Sequence, residues 1–170
     1  MSFRPRVHVL LLAMLALPLA TTAFAQNPTG SNRESASPGD VAIVVHPDTP
    51  VTDLGLADVR QIFLGDRQYW RGNTPVVLLV RAPVAREREV VLKTIYRMTE
   101  ARFKQYWISK IFTAEAATAP KIVYSSDQLA ALVSAIPGAI GFMLAKDVQP
   151  GVKVLRVDGR LPGEPFYPLK

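Results

Sequence analysis

Residues 74–98 read TPVVLLVRAPVAREREVVLKTIYRM. The apolar run 75–80 has the length and composition of a buried strand. From 85 to 98 the apolar residues Val91, Ile95 and Met98 recur at helical spacing. A strand that feeds a helix through a short turn is the building unit of α/β folds. In open α/β sheets ligands sit outside the carboxyl ends of strands, where helix N-termini direct free N–H groups. The turn here carries Arg81, Arg86 and Arg88, so it stands where a small anion would be gripped.

The pattern extends in both directions. VAIVVH (41–46) is a run of β-formers closed by the turn PDTP. GLADVRQIFLG places Leu56, Val59, Ile62 and Phe63 on one helix face, with Gly65 in the stop position. DRQYWRGNTP is a loop holding the aromatic pair Tyr69 and Trp70. After Thr99 a second helix sets Phe103, Tyr106, Trp107 and Ile111 in a core stripe. KIVYS (121–125) is a strand, and Ser125 with Gln128 has capping-box spacing at the start of the next helix. GAIGFM (138–143) and VKVLRV (152–157) are the last strands. Strands and helices therefore alternate around a largely parallel or mixed sheet.

The N-terminus has a different character. MSFRPR is basic, VHVLLLAMLALPLATT is almost wholly apolar, and AFA supplies small residues at the cleavage positions. That order reads as a secretory signal over 1–25, cut before Gln26, which places the product in the periplasm or outside the cell. Residues 26–39, QNPTGSNRESASPG, are too polar to order themselves and read as a disordered linker. The domain is expected over 40–170. After signal removal no stretch is long and apolar enough for membrane insertion.

The chain has no cysteine, which excludes disulfides, thiolate metal sites, a cysteine nucleophile and a lipoprotein anchor. The net charge of +6 falls by two when Arg4 and Arg6 leave with the signal. The remaining basic residues are mixed with acids, as in Arg86–Glu87–Arg88–Glu89, and read as a solvated surface. No basic stripe interleaved with stacking aromatics marks nucleic-acid binding. His46 is the only histidine after the signal, and no HExxH, GxSxG or P-loop pattern accompanies it. A hydrolase would need His46 beside Ser125 or Ser126; an ordinary turn histidine is the preferred reading. No catalytic residue, metal or cofactor is expected. A second anion position falls at Ser125 and Ser126, although helix capping is the preferred reading of these serines.

These segments together carry a resemblance. VAIVVHPDTPVTDLGLADVRQIFLGDRQYWRGNTPVVLLVR resembles the phosphate-type periplasmic substrate-binding proteins of ABC transporters. Their strand is followed by a helix and loop of the form LSLxxLxxIFxGKxxxW, and Leu56, Ile62, Phe63, Gly65 and Trp70 stand at the matching places. PGAIGFM is similar to their PGAIGYV strand, and the likeness covers residues 40–157. It implies one lobe of a type II periplasmic-binding-protein-like fold, a mixed sheet flanked by helices, and binding of phosphate or another small oxyanion without catalysis.

Two departures from the pattern stand out. The family has two lobes that close on the ligand, and only one is recognisable here, so a second lobe would have to come in trans. The family's phosphate loop reads R-x-D-x-S-G-T. Arg81 matches the arginine, while Pro83, Ala85, Arg86 and Glu87 replace the aspartate, serine, glycine and threonine. If an anion binds, the expected ligands are Arg81, Arg86, Ser125 and Ser126. The alternative is a periplasmic protein-interaction module that docks a sensor, a channel or a second copy of itself; exposure of Tyr69 and Trp70 would favour it.

Overall fold

The structure is a computed structural model and describes residues 39–170; the expected signal peptide and all but the last linker residue lie outside the described residues. Strand β1 (Val41–Val45) is buried throughout. Alternation along a strand sends successive side chains to opposite faces, so one β1 face must meet one layer and the other face another. Val41, Ile43 and Val45 pack with Val59, Phe63, Ile95 and Phe142. Ala42 and Val44 pack with Leu79, Leu129, Val133 and Met143 on the other side. An unbroken apolar run is what a strand covered on both faces requires.

The remaining elements are β2 (Asp53–Leu54), α1 (Leu56–Phe63), β3 (Val77–Arg81), α2 (Arg86–Val91), α3 (Glu100–Phe112), β4 (Lys121–Val123), α4 (Ser126–Ala135), β5 (Ala139–Leu144), β6 (Lys153–Val154) and β7 (Arg156–Val157). The main sheet runs β4-β3-β5-β1-β6, with β3 parallel to β4 and β5, and β1 antiparallel to β5 and β6. It is the mixed sheet expected from the sequence. The expected strand 152–157 divides at fully buried Leu155, and β7 pairs with β2 in a separate parallel ribbon.

Two glycines of the quoted segments are fixed by close approach. Gly138 has φ +80°, and a Cβ there would lie 2.1 Å from the Pro75 carbonyl oxygen. Its own carbonyl accepts from the Trp70 indole at 2.9 Å. Gly65 has φ +71°, and a Cβ would meet the Trp107 ring at 2.9 Å. Both positions need the left-handed conformation that glycine adopts without steric cost. The loop tryptophan, the helix-stop glycine and the glycine before β5 are thus parts of the core.

Two local expectations are corrected, and one contact is added that the sequence did not foretell. The helix expected over 85–98 is α-helical only to Val91 and continues as a π turn over Leu92–Tyr96. Arg97 then turns left-handed at φ 55°, and the Met98 amide donates to Leu92 at 3.0 Å. Arg60 donates to the Ile95 carbonyl in that turn. Ile111 is 38% exposed, outside the expected stripe, and Lys110 is buried in its stead. The Lys110 ammonium donates to the Leu64 carbonyl at the end of α1 and pairs with Asp66. Finally, the C-terminal segment closes on β1: Val41 donates to Leu169 at 2.8 Å, and the Tyr167 hydroxyl donates to the Val41 carbonyl at 2.7 Å.

Candidate functional site

The two expected anion positions come together at one sheet edge. β3 and β4 are parallel neighbours with Arg81 opposite Val123, so the turn after β3 and the turn into α4 emerge side by side. Their grouping follows from parallel pairing, which aligns carboxyl ends.

Three of the four expected side chains at this edge, Arg81, Ser125 and Ser126, already have partners. Arg81 is 8% exposed; its Nε donates to Glu87 Oε1 at 2.6 Å and its Nη1 approaches the Val123 carbonyl at 3.4 Å. Glu87, in the first turn of α2, is buried with it. Ser125 caps α4, its hydroxyl accepting from the Gln128 amide at 3.0 Å. Ser126 donates to Asp147 at 3.1 Å. Arg86 and Ser125 are the exposed members of the four, and the Arg86 guanidinium lies against Gly39.

Arg88 overturns the reading of 86–89 as a solvated surface. It is 2% exposed, and its Nε and Nη2 meet the two Glu100 oxygens at 2.8 and 2.9 Å. Its Nη1 donates to the Arg81 carbonyl, and the guanidinium lies 4.7 Å from the Phe103 ring centroid. A buried guanidinium needs such compensation, because an unpaired one would be strongly destabilising. The hydrogen bond from Arg88 holds the Glu100 carboxyl below its ordinary range, against the opposing effect of burial. Two arginines and two glutamates therefore form an internally neutral cluster under the turn. Sequence reasoning placed Glu87 within the altered anion loop but missed its bond to Arg81, six residues back across the turn. Nothing in the spacing marked Glu100 as the partner of Arg88.

His46 lies elsewhere. It follows β1, which runs antiparallel to β5, and β5 is parallel to β3 and β3 to β4; its amide donates to Ala139 at the start of β5. His46 and the serines thus stand at opposite edges of the sheet, which removes the hydrolase arrangement. His46 Nδ1 accepts from the Asp48 amide at 3.2 Å, as a turn histidine does. Among the described residues no three histidine or acidic side chains are grouped to hold a metal. The aromatic pair is divided: Tyr69 is 55% exposed, whereas Trp70 is 3% exposed.

Beside Arg86 and Ser125, the edge also offers apolar surface to solvent. Val84, in the turn after β3, is 97% exposed, and Tyr124, just after β4, is 76% exposed.

No protein-family model matches the chain, and no curated protein matches it in sequence. Solved structures do match. A phosphate ABC transporter substrate-binding protein from Clostridium perfringens, solved with bound phosphate, aligns with TM-score 0.58 and 21% identity over 72% of this chain and 46% of its own. An ABC-type phosphate transport receptor from Vibrio cholerae gives 0.59 and 20% over 72% and 48%. PstS from Borrelia burgdorferi gives 0.56 and 14% over 72% and 49%. At these identities the likeness is one of fold: a periplasmic-binding-protein-like lobe. The chain spans about half the length of each of these proteins.

Proposed function

We propose that the protein is an exported, non-catalytic binding-protein-like lobe that works by docking another protein through the edge formed by the ends of β3 and β4. In this reading residues 1–25 are removed on export, 26–39 form a linker and 40–170 the working domain. The observation that carries it is the buried Arg81–Glu87 pair, with Nε and Oε1 2.6 Å apart. A carboxylate on the arginine occupies the place of an anion and would repel a second one. At the same edge Val84 and Tyr124 give solvent apolar surface, the material of protein contacts. The likeness to phosphate-binding proteins supports the binding-protein architecture and, through it, the export.

The second reading keeps this edge as a weak phosphate or oxyanion site drawing on Arg81, Arg86, Ser125 and Ser126, in an accessory role to ABC transport. Its support is the position of the two turns at the carboxyl ends of parallel strands. Thermal unfolding separates the two. A ligand at about 100 times its Kd adds about 2.7 kcal/mol to stability. Docking predicts the same melting temperature in phosphate and in chloride of equal ionic strength; a specific rise in phosphate would favour the oxyanion.

A further inference from the structure

Beside the turn after β3, α2 and the π turn border an open groove of about 820 Å³. Three cations line it: Arg86, Lys93 and Arg97. Among the described residues none of the three makes an ion pair. The carboxylates in the groove are Glu89 and Glu100, and Glu100 is bound through both oxygens to Arg88. Three uncommitted cations therefore face one uncommitted carboxylate. Apolar surface adjoins them: Val84 stands in solvent, and Met98 is half-buried. The backbone that carries Lys93 and Arg97 is irregular, with a π turn and a left-handed arginine. Such departures cluster at functional sites.

We propose that this groove docks an acidic protein segment, with carboxylates facing Arg86, Lys93 and Arg97 and an apolar side chain against Val84 and Met98. The inference rests on the docking reading above and names its surface and the chemistry of its partner. Charge complementarity selects the occupant, because potentials of opposite sign steer partners together and exclude like-charged ones. The groove is too open to enclose a small anion as ligand pockets do. Its lining includes no aromatic ring on which a base could stack.

The test uses a fluorescein-labelled peptide of four Glu-Glu-Leu repeats, with a Lys-Lys-Leu counterpart, titrated by anisotropy against the full chain. The acidic peptide should bind at about 50 mM salt and weaken about tenfold near 300 mM, as screened charge pairs do. The double variant Arg86→Glu, Lys93→Glu should weaken binding by about tenfold or more, since it places like charges opposite the peptide. Arg97→Gly keeps the left-handed turn and removes one charge, and should weaken binding by a smaller factor. Arg71→Glu, in the loop that precedes β3 and outside the groove lining, should leave it within about twofold. Equal losses in groove and control variants, or no binding up to about 1 mM, overturn the groove. Phosphate is titrated into the same samples. Tight phosphate binding would overturn the docking reading itself, whereas silence in both titrations overturns the groove alone.

Discussion

Arg81 Nε and Glu87 Oε1 are 2.6 Å apart, and both side chains are almost wholly buried. Removing one partner of such a pair strands the other charge away from water, at a cost of about 3–5 kcal/mol. Glu87→Ala should lower urea-unfolding stability by that amount. The double variant Arg81→Met, Glu87→Leu should cost much less than Glu87→Ala, because no charge is left alone. Equal losses in both would mean that the pair acts through packing only.

Arg88 gives the cluster a pH signature. Glu100 is held below the ordinary carboxylate range by its bond to Arg88. A depressed folded pKa stabilises the protein above the unfolded value, and that stability is lost as pH falls through the depressed folded value. Wild type should therefore lose stability as pH drops below the ordinary glutamate value of about 4.3. Arg88→Met, in which Glu100 loses the bond that depresses it, should be less stable at neutral pH and show a shallower acid slope. Parallel acid limbs for the two proteins would contradict the assignment.

Gly138 links the loop to the sheet. Gly138→Ala must move a Cβ away from the Pro75 oxygen 2.1 Å off, at positive φ. It should destabilise by at least about 2 kcal/mol, the order of a strained backbone position. Gly72, whose added Cβ meets nothing within 4 Å but whose φ is also positive, should cost less when changed to alanine. Urea midpoints rank the two variants.

The sequence made the layered α/β plan legible because β1, β3 and β5 are apolar runs and the helices between them keep a regular stripe. Gly65 and Trp70 were placed by the resemblance, but the contacts that fix them, with Trp107 and with Gly138, come from the tertiary fold. Arg88 and Lys110 were not legible. Their burial depends on Glu100 and on the Leu64 carbonyl, which only the tertiary fold brings to them. A stretch such as Arg-Glu-Arg-Glu has the same letters on a solvated helix as over a buried cluster. Ser125 was read with both its roles, and its hydroxyl is found capping α4.

Val84 and Tyr124 contribute nothing visible to the core. Val84→Ser with Tyr124→Ser should leave stability within about 0.5 kcal/mol, as exposed substitutions do. A larger loss in urea unfolding would show that these residues serve packing and not docking.

The claim that Glu87 closes the arginine is tested most directly by calorimetric titration of the purified protein with phosphate and sulfate. The account predicts no saturable heat for either ion below millimolar concentrations, with wild type and Arg81→Ala alike. Micromolar phosphate binding that Arg81→Ala weakens by about 1.5–3 kcal/mol, the range for a charge-assisted hydrogen bond, would contradict it.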